Sequence, residues 1–152
     1  IEPQFDFVGG FSEGLSLVKV GTKYTFIDRQ GNLIFSPRFD NASDFSEGLA
    51  SANINGKYGY IDRTGKVIIG PQFADAQDFS EGLAAVYVGG EREKYGGLHG
   101  GKYGYIDKTG KLVIPPQFDY ALNFSRGLAQ VVIGGKRGYI DKSGKYVWNP
   151  TE

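Results

Sequence analysis

The sequence predicts an all-β protein, a tandem array of four three-stranded antiparallel β-repeats with a 34-residue period. Three observations carry that expectation. Tetrads of the form Phe-Ser-(Glu or Arg)-Gly begin at Phe11, Phe45, Phe79 and Phe124, and Pro-X-Phe triads begin at Pro3, Pro37, Pro71 and Pro116; both series step by 34, 34 and 45 residues. Within each period, short runs of strand-forming residues are separated by turn signals such as Asn55-Gly56, the pair a two-residue type I′ hairpin needs because both central residues take positive φ. Gly, at 24 residues, is far above its usual share of about 7 per cent, whereas Pro, at 6, is ordinary, so the surplus glycine marks tight turns.

Ile-Asp pairs at Ile27, Ile61, Ile106 and Ile140 step by 34, 45 and 34, which confines the extra eleven residues of the third copy to the segment between Val88 and Lys102. The repeats therefore run 1–35, 36–69, 70–115 with an insertion at 91–101, and 116–152, within a single repeat domain 1–152. One three-stranded unit is marginal alone, so stability must come from burial between neighbours. An open, solenoid-like array is favoured over propeller-like closure, since only four units are available to close a ring.

Taken in order, the first copy is the most worn: its hairpin turn is Gly21-Thr22 and its second strand reads Lys23-Tyr24-Thr25-Phe26-Ile27. In the second copy, alternation puts Ala50, Ala52 and Ile54 on one face of a half-buried strand, a set repeated as Ala84, Val86, Val88 and as Ala129, Val131, Ile133. The second strands place Tyr58 and Tyr60 on one face with Gly59 and Ile61 on the other. A glycine inside a strand implies close approach of a backbone or a ring, and a seat for a neighbouring aromatic is the expectation here. A turn of the type I plus bulge class follows at Asp62 to Lys66, with Asp binding the turn backbone and Gly65 left-handed. The third strands, Val67-Ile68-Ile69, Leu112-Val113-Ile114 and Tyr146-Val147-Trp148, are unbroken apolar runs, which suits strands covered on both faces. Phe39 and Phe45, Phe73 and Phe79, and Phe118 and Phe124 are expected as plugs between successive sheets. Gly89 to Gly101, with six Gly, four charges, one Tyr and the only His, is expected to project as a flexible loop.

Composition narrows the function classes. Seventeen basic residues balance 17 acidic ones, so no summed field draws the chain to nucleic acid or an anionic membrane. Without Cys there is no disulfide framework, thiolate zinc site or cysteine nucleophile. No apolar run reaches the roughly 18 residues that span a bilayer, so membrane insertion is not expected. A chain beginning at Ile1 reads as a processed product or an excised fragment.

In Phe-Ser-Glu-Gly-Leu-Ala, Lys-Tyr-Gly-Tyr-Ile-Asp-Arg-Thr-Gly-Lys and Pro-Gln-Phe, the sequence resembles the bacterial WG-repeat (KWG-repeat) family, over essentially the whole chain outside the insertion. It departs at the signature Trp, which is Tyr58 and Tyr103 in two copies, Arg137 in the fourth, and Tyr24 followed by Thr25 in the first. The resemblance implies a β-rich repeat module, common in bacterial and often surface-associated multidomain proteins, with no general activity attached.

Candidate chemistry is sparse. Asp28, Asp62, Asp107 and Asp141 are read as turn formers rather than metal ligands, because each opens a Gly-containing turn. Glu13, Glu47 and Glu81 recur likewise, and Arg126 replaces Glu in the fourth copy, which argues against an acid–base role. No catalytic residue, metal site or cofactor is expected. The variable loop offers Glu91, Arg92, Tyr95 and His99, with His99 read as an exposed spacer. The Tyr row Tyr58, Tyr60, Tyr103, Tyr105 and Tyr139 is the candidate binding surface, weighed against service as core. The leading expectation is a non-catalytic structural or macromolecule-binding scaffold with a protein partner or self-association end to end; the alternative is carbohydrate or cell-wall binding through exposed Tyr rings.

Overall fold

The computed structural model describes residues 5–94 and 97–151. Among them there is no helix, and the strands fall into antiparallel sheets that follow the repeat. The first sheet comprises β1 (Phe7–Ser12), β2 (Leu15–Val20) and β3 (Lys23–Ile27) in that order. The second orders β4 (Asn41–Ala42), β5 (Ala50–Ile54), β6 (Lys57–Ile61) and β7 (Val67–Phe73). The third is built from β8 (Asp75–Ala76), β9 (Ala84–Val88), β12 (Lys102–Ile106) and β13 (Leu112–Phe118), with β10 (Glu91–Arg92) and β11 (Leu98–His99) forming a separate two-stranded sheet inside the insertion. The fourth runs β14 (Tyr120–Ala121), β15 (Leu128–Ile133), β16 (Lys136–Asp141) and β17 (Tyr146–Thr151). The three-strand meander of each repeat thus gains a short edge strand in the last three sheets, contributed by the residues just after Pro-X-Phe. In the first copy the third strand is reduced to two isolated bridges, Tyr24 to Phe39 and Ile27 to Leu33.

The chain forms two compact units, Ile1–Pro71 and Gln72–Glu152. In the first, Leu15, Leu17 and Phe26 pack with Phe39, Phe45, Ala50, Ala52 and Ile61 in one buried cluster. In the second, Tyr103, Tyr105, Ile114 and Phe118 pack with Phe124, Ala129, Val131 and Ile140. All six predicted plug phenylalanines are buried. In each unit a second-strand ring wedges beside one plug: Phe26 lies 4.6 Å from Phe45, and Tyr105 lies 4.9 Å from Phe124. Each buried ring removes roughly 150 to 250 Å² from water, which is why a sheet with few Leu can hold its neighbour.

Two burial expectations are reversed. First strands of the second and third sheets are covered on both faces, since Ala50, Ser51 and Ala52, and likewise Ala84, Ala85 and Val86, are all buried. Third strands are not: Val67, Ile68, Leu112, Val113, Val147 and Trp148 are exposed, while Ile69, Ile114 and the partly buried Tyr146 turn inward. The third strand is a sheet edge, so stacked neighbours cover the inner strands and leave this rim in water. The strand glycine also has a different neighbour from the one expected. A Cβ on Gly59 would lie 2.3 Å from the Ile69 carbonyl oxygen, and one on Gly104 would lie 2.7 Å from that of Ile114. The third-strand backbone crosses there, where its register slips against the second strand, and no aromatic ring occupies the place.

Candidate binding surface and its neighbours

The Phe-Ser-Glu-Gly tetrads are two-residue hairpin turns. Glu81 and Gly82 take φ of 54° and 84°, Arg126 and Gly127 take 54° and 81°, and Ser80 and Leu83 exchange backbone hydrogen bonds of 2.9 and 3.2 Å across the turn. Both central residues are left-handed, the type I′ pattern. A non-glycine residue there costs about 1 kcal/mol, and the side chains show what offsets it. The Ser80 hydroxyl donates to the Phe124 carbonyl (2.6 Å), while the Glu81 carboxylate accepts the Arg126 and Gly127 N–H groups (2.6 and 2.9 Å). In the first unit, Ser12 donates to the Phe45 carbonyl at 2.8 Å and Glu13 accepts the Gly48 N–H at 3.0 Å. Within each unit, the first tetrad therefore fastens the turn of the second. The Gly127 N–H first of all, then that of Arg126, holds the Glu81 carboxyl below its ordinary pKa. Charge reversal at Arg126 is tolerated because this turn is gripped through its backbone.

The recurring Asp residues act as the sequence predicts. Asp62 takes the Thr64 hydroxyl at 2.6 Å and the Thr64 and Lys66 N–H groups at 2.9 and 3.1 Å; Asp107 and Asp141 repeat the pattern, and Asp28 binds Gln30 and Asn32. Hydroxyl donation lowers the carboxyl pKa of Asp62, Asp107 and Asp141, and the Asn32 N–H does so for Asp28. Among the described residues no three His, Asp or Glu side chains come together as a metal site.

A second acid series escaped the sequence reading. Asp6, Asp40 and Asp119, each following Pro-X-Phe, accept the N–H of Gly21, Asn55 and Gly134 at 2.7, 3.0 and 2.7 Å, closing the hairpin turn of the same sheet. The third copy has Ala74 instead, in the one repeat whose hairpin turn is replaced by the insertion. The signal was available as a gap in a series.

The candidate Tyr row separates into different environments. Tyr60, Tyr103 and Tyr105 are 0%, 2% and 0% exposed, so these three belong to the core and do not form a contact surface. Tyr103 donates its hydroxyl to Asp75 (2.6 Å) and Tyr105 to the Leu122 carbonyl (2.6 Å). Burial raises both phenol pKa values, with the Asp75 bond adding to the effect at Tyr103. Tyr58 and Tyr139 are half-buried. Alternation placed Tyr60 correctly opposite Ile61, but stacking covers both faces of the strand, which pattern alone does not reveal.

The insertion carries a short antiparallel ladder, which the sequence reading of a projecting loop did not foresee. Glu91 pairs with His99 and Arg92 with Leu98, and the Gly101 N–H donates to the Tyr87 hydroxyl at 3.0 Å. Arg92 reaches Asp75 at 3.3 Å, tying the hairpin to the edge of the third sheet. His99 Nε2 lies 3.6 Å from Glu93 Oε1, both well exposed. Tyr95 lies outside the described residues.

Four stretches, 1–24, 24–58, 58–91 and 103–136, match the family described as WG containing repeat, passing over most of the insertion. No curated protein matches the chain in sequence. Among solved structures the chain is similar to KlHsv2 with loop 6CD replaced by a Gly-Ser linker, at 11% identity and a TM-score of 0.53, over 95% of this chain and 52% of that one. It is also similar to the extracellular domain of a hybrid two component system from B. thetaiotaomicron, at 12% identity and a TM-score of 0.50, over 97% of this chain and 22% of that one. The chain spans about half the length of the first and less than a quarter of the second, and at these identities the likeness concerns fold alone. A period carried by the tetrads, the Asp turns and Pro-X-Phe, and sheets that follow that period, agree with the family match: the chain belongs to the WG containing repeat family.

Proposed function

We propose that the chain is a non-catalytic module whose repeated surface supports or binds another macromolecule. The observation that carries this reading is where the recurring polar residues are spent. Glu13, Glu81, Ser12 and Ser80 fasten successive tetrads, and Asp28, Asp62, Asp107 and Asp141 close turns. The repeat also leaves apolar pairs in solvent, Val67-Ile68, Leu112-Val113 and Val147-Trp148 of the third strands, which suit contact with a partner. End-to-end self-association is not adopted, because Arg126 stands where a Glu would grip the next tetrad. The exposed His99–Glu93 pair is the nearest approach to an acid–base couple, so a panel of common hydrolase substrates tests the reading. No turnover is expected from the parent; a substantial rate abolished by His99→Ala overturns it.

A further inference from the structure

The fourth sheet covers the third with Ala129, Val131 and Ile140, and by strand alternation its other residues form the opposite face. There, cross-strand pairing sets Tyr120 beside Val132 and Arg137 in one row, and Gln130 beside Tyr139 and Trp148 in the next. Tyr139 and Trp148 stack at 5.7 Å with planes 11° apart, and Trp148 is 53% exposed. An open hollow of about 310 Å³ is lined by Tyr120, Leu122, Gln130, Val132 and Arg137. Tyr120 is 47% exposed, and its ring is propped by Tyr103 in an edge contact at 5.7 Å and 82°.

The same five positions of the third sheet hold Asp75, Gln77, Ala85, Tyr87 and Tyr103, on the face that the fourth sheet covers. All five differ in kind, and the differences remove the means of fastening another repeat. Gln77 donates to the Ala121 carbonyl at 3.0 Å, but its counterpart is Leu122. Glu81 grips two N–H groups, but its counterpart is Arg126. Small Ala85 becomes Gln130, and the buried Tyr103 becomes the exposed Arg137, whose guanidinium has no ion pair or hydrogen bond among the described residues. Two acids, Asp75 and Glu81, have given way to none, and two guanidiniums have appeared. The acids nearest this face are already engaged, Asp119 with Lys102 and Gly134 and Asp141 in its own turn.

The face is aromatic, amide-bearing and cationic, so it complements a ligand that carries carboxylates and a flat apolar surface. At its centre, where Gln130 lies, β15 is paired on both sides by β14 and β16, so strand addition is confined to the sheet edges and only side chains remain for contact across the hollow. From this we infer that the outward face of the fourth sheet, around Tyr120, Gln130 and Arg137, binds an acidic saccharide, with the sugar ring against Tyr120, its carboxylate on the Arg137 guanidinium, and its hydroxyls on the Gln130 amide. Forked guanidinium–carboxylate pairing and ring stacking are the interactions such a set supplies. This rests on the scaffold reading and gives it a ligand class.

The test is calorimetric titration of the full chain with trigalacturonate, triguluronate and a hyaluronan tetrasaccharide. Methyl-esterified trigalacturonate and a hexa-aspartate peptide serve as the neutral and protein-class arms. At least one uronide is expected to bind, to perturb Trp148 fluorescence, and to bind at least tenfold more weakly to Arg137→Gln, to Tyr120→Ala, or as its ester. Both substitutions are at exposed positions, and unchanged circular dichroism confirms folding. The site assignment is overturned by binding of none of the uronides, by binding indifferent to Arg137→Gln, or by equal binding of hexa-aspartate. It is also overturned by a concentration-dependent dimer that Arg137→Gln dissolves, which would assign the face to a second copy. Any of these leaves the scaffold reading standing, whereas cleavage of a bound uronide overturns that reading instead.

Discussion

Replacing Gly104 by Ala tests the packing of the second strand against the third. Gly104 does not take a positive φ, and at such a position Gly→Ala ordinarily stabilises by about 0.4–1 kcal/mol, by restricting the unfolded chain. Here the added Cβ would lie 2.7 Å from the Ile114 oxygen, 2.9 Å from the Pro116 nitrogen and 3.1 Å from the Pro115 carbonyl carbon. All three are backbone atoms and cannot swing away. Ordinary C···O contacts are about 3.3–3.6 Å, so β13 must retreat by more than half an ångström at the residue that carries the buried Ile114. Overpacking of this kind costs about 1–3 kcal/mol, which outweighs the entropic gain and reverses the usual sign. Gly70 is the control: a Cβ there meets nothing within 4 Å, so Gly70→Ala should be neutral or stabilising. Urea unfolding followed by fluorescence of Trp148, which lies in the same unit as Gly104, gives the first value, and circular dichroism, which follows the strands of both units, gives that of Gly70→Ala in the first unit. A Gly104→Ala protein as stable as the parent would refute the close crossing.

Acid sensitivity follows from the Asp turns. The carboxyls of Asp62, Asp107 and Asp141 have lowered pKa values in the fold, first through the hydroxyl two residues on. Their contribution is therefore complete above the unfolded value and is lost as pH falls through the folded one. Stability should be flat between about pH 5 and pH 9 and decline below that range, with a shallower decline in Asp107→Asn; an identical acid limb in the variant would contradict the assignment. Tyr146→Phe should stabilise by about 1 kcal/mol in thermal unfolding, because the Tyr146 hydroxyl is buried without a hydrogen-bond partner among the described residues. Destabilisation would show that the hydroxyl has a partner after all.

Much of the fold could be read from local chemistry. Asn55-Gly56 turns as the pair predicts, with φ of 54° and 95°, and the Asp turns place Gly65, Gly110 and Gly144 at φ of 90°, 90° and 87°. Those features are decided within five residues, so a single sequence contains them. The tetrad was legible as a period but not as a fastener, because Glu81 meets its partners 45 and 46 residues away. The Tyr row failed as a surface for a related reason: whether Tyr105 meets water depends on the sheet stacked above it. Third strands misled in the opposite direction, since an apolar run such as Leu112-Val113-Ile114 looks the same at a covered centre and at an exposed rim. The hollow beside Arg137 was hidden because Arg137 read only as a departure from the motif.

The central claim is that motif residues of one sheet hold the turn of the next, and amide hydrogen exchange on Glu81→Ala tests it most directly. In the parent, the Arg126 and Gly127 N–H groups are bound by the Glu81 carboxylate and should exchange slowly. In the variant, both should exchange about tenfold faster or more while the amides of β9 and β12 keep their protection. Unchanged protection at Arg126 and Gly127 would contradict the account.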